Sequence, residues 1–393
     1  MADRFRIRQF RAFSDLPAGY AELQSDEVRR HGLFRCAEWF DYLMRNHFAD
    51  GDELCIYGVE EAGSGRPLVV APLRLSSRDK AVPHCRIVAS ISHPENYTTA
   101  AVGFDPGLQD RVGALAALFG HFKAGASAGS EPRFDAIRLW PVELGSELGD
   151  TIHRALRAAG FWVQPYANSY NRFEDTKEMS YDAYFAQRSA NLRYSVRRRK
   201  RALEKTGTLE IAVLTGAPDL EKAIADYVSV SLNSWKRPGS MIAPPNLQLI
   251  RLAAAKGCLR LGILKVGGVA AAAQFWIVSG ATAHCARLAY HEAYKKLAVG
   301  VVLTNHMIEH VLDRDHVEKI DFGFGQEDYK GGWMRDARDY YGFMAFNPAT
   351  PRGLYQGARH IVGHKAKRLA KRALEALGLR KPRVAPEEAE QLQ

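Results

Sequence analysis

The chain is 393 residues long, 47% hydrophobic, and carries 54 Lys and Arg against 44 Asp and Glu, a formal net charge of +10. That apolar content fills the cores of about two domains and excludes a disordered chain except at the ends; no apolar run approaches the ~20 residues of a membrane span. Five cysteines without close pairs exclude a disulfide framework and fit reduced thiols in the cytoplasm.

The basic balance points to an anionic partner: a phosphate-bearing cofactor, a nucleotide-linked sugar, an anionic lipid or RNA. Residues 1–11 are basic but contain no apolar h-region, so no signal peptide is expected. Helical patterns run through about the first fifty residues, with an apolar-rich helix at 37–44. Strands follow at 54–59, 67–75, 86–91 and 97–104, then a helix at 108–123, a strand at 134–140 and a helix at 148–159. Gly63-Ser64-Gly65 is a hairpin turn, too short for a phosphate loop. Asp105 and Pro106 precede the helix at 108–123; the carboxylate repels anions and the proline lacks an N–H. Residues 124–130 form a loop of small residues.

A long helical pattern covers 181–205 and concentrates Arg193, Arg197, Arg198, Arg199, Lys200 and Arg201. This is either a solvated face or a clamp for a phosphorylated or nucleotide-linked acceptor. Arg193 and Arg197, at i and i+4, share a face and suit bidentate phosphate contact. A strand at 209–214 and a helix at 219–235 follow; Trp235 either stacks on a sugar or acyl chain or belongs to the core.

The stretch 258–310 organises the rest. Apolar runs at 259–266, 269–278 and 281–290 are joined by Gly267-Gly268 and Ser279-Gly280, the signature of a three-stranded antiparallel meander. A short loop, Lys296-Leu297-Ala298-Val299-Gly300, leads into an amphipathic helix whose first turn offers free N–H groups and a positive dipole end to an anion. A strand at 318–325 closes the unit. Within that helix His306 and His310, with Glu309, match the H-x-x-E-H zinc-peptidase pattern. A short pattern is readily met by chance, no third ligand stands out downstream, and no metal is expected.

Meander, loop, helix and strand in this order resemble the core of the GNAT acyltransferases. The stretch is most similar to the CelD/BcsL-type acetyltransferases, relatives of the Fem peptidyltransferases. The matching residues are Ala273-Gln274-Phe275-Trp276, Ala289 to Tyr294 leading to Gly300, Ile320 to Gly325 leading to Tyr329, Lys330 and Trp333, and Leu192 to Arg199 upstream. The usual Gln/Arg-x-x-Gly-x-Gly/Ala loop is reduced here to Lys296 and Gly300. The resemblance implies an α/β (α+β) tandem of two GNAT-like domains, each a mixed, mostly antiparallel sheet flanked by helices. The expected divisions are a degenerate first domain at 1–175, a donor-binding domain at 176–355, and a basic helix and tail at 356–393.

It also implies an acyl-CoA-dependent N-acyltransferase, with acetyl-CoA or another acyl-CoA as co-substrate. The acceptor amine would belong to an amino sugar or lipid-linked sugar of surface-polysaccharide synthesis. Alternatives are a Fem-like aminoacyl transferase using tRNA, a long-chain N-acyltransferase on an amino lipid, and a ligand-binding module. The loop Lys296, Leu297, Ala298, Val299 and Gly300, with Leu288 and Ala289, is the expected donor site. Acyl transfer requires alignment, proton removal and oxyanion stabilisation. Asp321, in an apolar strand, is either paired or raised in pKa and is a candidate base. His284, Leu288 and Tyr290 alternate onto one strand face; Tyr290 and Tyr329 are candidate acids for the leaving thiolate. Arg193, Arg197, Trp235, Gln274, Lys330 and Trp333 are expected at the acceptor. Residues 358–381 form a basic amphipathic stretch suited to an anionic membrane surface, with the alternative that it packs on the fold.

Overall fold

A computed structural model describes residues 4–92, 100–125, 133–216, 218–234, 242–325, 328–361 and 363. The first half runs β1 (Phe5–Phe10), α1 (Ala18–His31), α2 (Ala37–His47), β2 (Glu53–Glu61), β3 (Pro67–Ser76), β4 (Ile87–Ser90), β5 (Gly103–Phe104), α3 (Arg111–Ala124), β6 (Ala136–Glu143), α4 (Glu147–Ala158) and β7 (Trp162–Asp175). The second runs α5 (Tyr181–Ala186), α6 (Ala190–Glu204), β8 (Leu209–Leu214), α7 (Leu220–Leu232), α8 (Pro244–Ala255), β9 (Leu259–Val266), β10 (Val269–Ser279), β11 (Thr282–Tyr290), α9 (Val299–Asp313), β12 (Lys319–Phe324), α10 (Asp328–Trp333) and β13 (Asp336–Phe346).

One continuous sheet carries the strands in the order β1-β2-β3-β4-β6-β13-β7-β12-β11-β10-β9-β8, with β5 beside β3. Each half repeats one plan. Four antiparallel strands come first, β1 to β4 or β8 to β11. A helical crossover, α3 or α9, then delivers a parallel strand, β6 or β12. The Gly267-Gly268 link of the second meander takes φ of 60° and 77°, values open to glycine without a Cβ clash. At the centre the halves exchange strands: β7 pairs with β12, β13 pairs with β6, and the two pair with each other along their length.

Helices cover both faces. Leu115, Leu118 and Phe122 of α3 pack on Tyr57, Val69 and Ile137 of the first half. Val302, Leu303 and Met307 of α9 pack on Leu264 and Trp276 of the second. The opposite face of the second sheet is closed partly by the first half's own α2, whose Trp39, Phe40 and Leu43 join Ile250 and Phe275. The end of α1 docks on the β10–β11 turn: the His31 carbonyl accepts from Ser279 Oγ at 2.7 Å, and a Cβ on Gly32 would lie 2.6 Å from the Gly280 nitrogen.

The helix expected over 181–205 is two helices. Ser189 caps α6 by accepting from the Leu192 N–H, and the intervening Arg188 is buried in a bidentate pair with Glu174. Strands β1, β7 and β13 and helix α8 were not foreseen. The strand expected at 97–104 is described only as β5, its residues 97–99 lying outside the described set, as does most of the small-residue loop at 124–130. All five cysteines are unbridged; Cys36, Cys55, Cys85 and Cys285 are buried and Cys258 partly so.

Candidate active site

The parallel ladder of β11 and β12 is short. Thr282, Ala283 and His284 pair with Lys319, Ile320 and Asp321, and the strands then part. Among the described residues the β11–β12 ladder has no rung past His284 and Asp321, and β12 turns toward β7. A register shift in the β10–β11 pairing, between Phe275 and Trp276, accompanies the divergence. The last rung, His284 opposite Asp321, is therefore the apex of a V-shaped opening.

Both apex residues are buried. Asp321 Oδ1 accepts from Asn171 Nδ2 at 2.8 Å and from the Gly323 N–H at 2.7 Å, and Oδ2 accepts from Arg338 Nη2 at 2.7 Å. Burial opposes its ionisation, but the Arg338 guanidinium and these hydrogen bonds outweigh it and hold the carboxyl below its ordinary value. Asp321 is thus a charged, fully engaged carboxylate. Of its two expected states, paired or raised in pKa, it is in the paired one, and its oxygens anchor the apex to β7 and β13. Arg338 also contacts Glu143 of β6 at 3.1 Å and Asn171 Oδ1 at 2.9 Å, so one guanidinium ties both halves together. His284 meets the Phe34 ring edge-on at 5.0 Å. Burial pushes its pKa down to about 4, against the pull of Asp321, so its imidazole is neutral at neutral pH.

The loop after β11 is a 3-10 turn over Glu292–Leu297, followed by Ala298 in the left-handed conformation, φ 52° and ψ 42°. Ala298 is also the N-cap of α9 and provides no side-chain cap. The first amides of any α-helix lack intrahelical acceptors, so this end of α9 presents N–H groups and positive dipole at the mouth of the opening. Tyr290 closes over it: a Cβ on Gly300 would stand 3.4 Å from Tyr290 Cδ1. Lys296 is exposed, Leu288 and Leu297 are half-buried, and Ala289 and Val299 are buried.

Three residues expected at the acceptor are buried and bonded within the chain. Gln274 is fully buried; its Nε2 donates to Thr304 Oγ1 at 2.7 Å and the Gly300 carbonyl at 3.3 Å, and its Oε1 accepts from Trp276 at 3.1 Å. Its amide fixes the first turn of α9 to β10. Lys330 is buried and donates to the Phe324 carbonyl. Trp333 lies in the core, its carbonyl accepting from Tyr184 and Arg188. These polar groups sit in apolar surroundings because their partners are internal.

Arg193 is half-buried and donates to the Ala186 carbonyl at 2.7 Å; Arg197 is exposed, 5.6 Å above the Phe185 ring. Tyr329 is exposed on α10. Trp235 lies outside the described residues. His306 stands 3.8 Å from Glu309, and His310 stands 3.9 Å from Asp315. Among the described residues no group of three or more His, Cys, Asp or Glu converges. Sequence reasoning missed Arg338 and Asn171. The aromatic-rich run Tyr340 to Phe346 was the one signal of the strand that carries Arg338; Asn171 had none.

Residues 190–331 match the family described as acetyltransferase (GNAT) domain. No curated protein matches the sequence. Among solved structures, FemX is 12% identical over 89% of this chain and 99% of its own, with a TM-score of 0.56. A tandem GNAT protein from the clavulanic acid biosynthesis pathway is 15% identical over 88% of this chain and 99% of its own, with a TM-score of 0.49. At such identities the likeness to FemX is one of fold. The chain is thus similar to the GNAT acetyltransferases over residues 190–331, and it shares the fold of FemX.

Proposed function

We propose that the enzyme is an N-acyltransferase that moves an acyl group, in the first instance acetyl, from acyl-CoA to the amine of an amino sugar, free, nucleotide-linked or lipid-linked, in surface-polysaccharide synthesis. The observation that carries the donor reading is the uncapped end of α9 at the mouth of the β11–β12 opening. Backbone N–H groups and a positive dipole end suit the pyrophosphate of coenzyme A. The stretch of β11 past the last rung suits the thioester, with a strand N–H for the developing oxyanion. In the reaction the neutral amine nitrogen attacks the thioester carbon, the C–S bond breaks, the thiolate takes a proton from Tyr290 or Tyr329, and the proton shed by the nitrogen returns through solvent to that tyrosinate. With Asp321 engaged, rate enhancement rests chiefly on alignment and oxyanion stabilisation.

Arg193 and Arg197 on α6, and the chain's net charge of +10, favour an acceptor carrying phosphate. Among the described residues no helix is long and apolar enough to cross a membrane. We place the enzyme in the cytoplasm and its basic tail at an anionic membrane surface, where a lipid-linked acceptor resides; most of 358–381 lies outside the described residues. Calorimetry tests the donor. Saturable binding of acetyl-CoA, or tighter binding of a longer acyl-CoA, is expected; no binding of any acyl-CoA overturns the reading in favour of aminoacyl transfer.

A further inference from the structure

Several arginines of this fold share a carboxylate in pairs. Arg74 and Arg138 share Asp79, Arg188 and Arg335 share Glu174, and Arg6 and Arg8 share Glu60. Helix α6 departs from that pattern. Its cations between 193 and 201, five Arg and one Lys, make no ion pair among the described residues. Like charges three and four positions apart on a helix repel one another. Arg197 against Arg201, and Arg198 against Arg201, are therefore standing costs that no described carboxylate offsets.

The helix forms all the same because its other side is packed. Val196 and Leu203 are buried with Val302, Leu303 and Met307 of α9. Tyr194, Arg197, Arg198, Arg201 and Lys205 recur at helical spacing on the opposite side, and all five are exposed. Tyr194, at the start of the row, is 68% exposed. From Arg197 to Lys205 the row extends about 12 Å at the helical rise per residue. The one acid of α6 is Glu204, at the margin of this face.

The outer side of a single helix is convex, so these cations cannot enclose a small anion. They act together only on an anion that is itself broad. One exposed tyrosine at the end of the row does not make the succession of stacking platforms that holds a single-stranded nucleic acid. A bilayer surface rich in anionic lipid needs neither concavity nor stacking. It attracts each basic side chain within a Debye length, and tyrosine rings favour the headgroup level. We propose that the outer face of α6 docks the protein on an anionic membrane surface. The proposal rests on the reading above only in placing the protein at a membrane, and it names a surface separate from the tail. Helix α6 packs on α9 and on the 292–297 turn, so docking through it brings the donor mouth close to a lipid-linked acceptor.

The experiment co-sediments full-length protein with vesicles of phosphatidylglycerol and phosphatidylcholine, and with phosphatidylcholine alone, at low and high salt. The α6 variant is Arg198→Glu with Arg201→Glu. Its control is Arg154→Glu with Arg157→Glu, two exposed positions of α4 with the same spacing and the same change in net charge. Both proteins keep the tail. Wild-type and control proteins should bind the anionic vesicles alone and leave them at high salt, while the α6 variant should bind at least about tenfold more weakly. Its melting temperature should be unchanged or raised, because the substitutions relieve repulsion. Arg198→Gln with Arg201→Gln, which removes charge without reversing it, should lose less. No binding by the wild-type protein overturns the proposal. So does unchanged binding by the α6 variant, which assigns the membrane to the tail alone, and so does an equal loss in the control. Vesicle binding that survives the α6 substitutions while binding of a poly-uridine oligomer is lost overturns it in favour of RNA. Calorimetry with acetyl-CoA on the same proteins tests the donor reading separately; a loss of that affinity confined to the α6 variant assigns these cations to the donor and overturns the docking face.

Discussion

In the first half the parallel ladder ends at Ala89 and Arg138; in the second it ends at His284 and Asp321. The same rung thus carries a cation in one half and an anion in the other, each answered from outside the ladder: Arg138 by Asp79, Asp321 by Arg338. The crossover helices differ in the same sense. Asp110 caps α3 with a carboxylate, whereas α9 begins at Ala298 with no side-chain cap. Beyond the rung, Ser90 bridges the first opening, while the second is left to part. Two copies of one backbone plan have been given opposite electrostatics at two equivalent points. A repeated fold therefore does not imply a repeated ligand.

The comparison breaks most severely at its rung. Asp321→Ala leaves the Arg338 guanidinium without its shortest carboxylate partner in a largely buried site, and breaking such a pair costs about 3–5 kcal/mol. Urea unfolding should show this loss. Asp79→Ala should cost less, since Arg74 keeps Asp52 and Arg138 keeps Tyr166.

The next largest effect should come from giving α9 the cap of α3. Ala298→Asp satisfies an amide and places a negative charge at the helix end; aspartate tolerates the left-handed backbone there. Acetyl-CoA affinity should fall at least tenfold in calorimetry while the melting temperature is unchanged or raised. Ala298→Asn, which caps without charge, should lose less.

Acid separates the halves in a third way. The His284 pKa is depressed to about 4 by burial, so the unfolded chain takes up that proton before the folded one. Its contribution to stability is full above pH about 6.5 and is lost as pH falls toward 4. His284→Gln should flatten the stability profile in that window. The first half has Ala89 at this position and offers no counterpart. His31, lowered to about 4 by burial and by Arg35 and Arg30, adds a slope of its own that the substitution leaves in place. The smallest effect belongs to Asp110→Ala, which should cost about 1 kcal/mol as a lost helix cap and leave acetyl-CoA binding unchanged.

The second half was the more legible in the sequence, for local reasons. Gly267-Gly268 marks a turn between alternating strands, and the helical repeat of residues 301–312 is read within a few residues of itself. The tandem plan was legible through the resemblance of the second half to the GNAT core. The exchange of β7 and β13 was not, because a strand's partner is set by tertiary packing and here lies far along the chain. The same gap hid the internal partners of Gln274, Lys330 and Trp333. A polar or aromatic residue in an apolar run signals a required partner, but not whether that partner is a ligand or another part of the chain. For Gln274 it is Thr304; for Asp321 it is Arg338, from the unforeseen strand.

The exchanged strands also set the order in which the molecule can be completed. β6 ends at Glu143, yet its neighbour β13 begins at Asp336. During synthesis the edge of β6 must wait, unpaired, while the whole second half emerges from the ribosome. An open strand edge is a template for pairing with other chains, so this interval is when the nascent protein is most exposed to aggregation and to chaperone capture. For the same reason neither half, produced alone, has the strands to finish its own sheet, and dividing the gene between them would yield two fragments that fold only by finding each other.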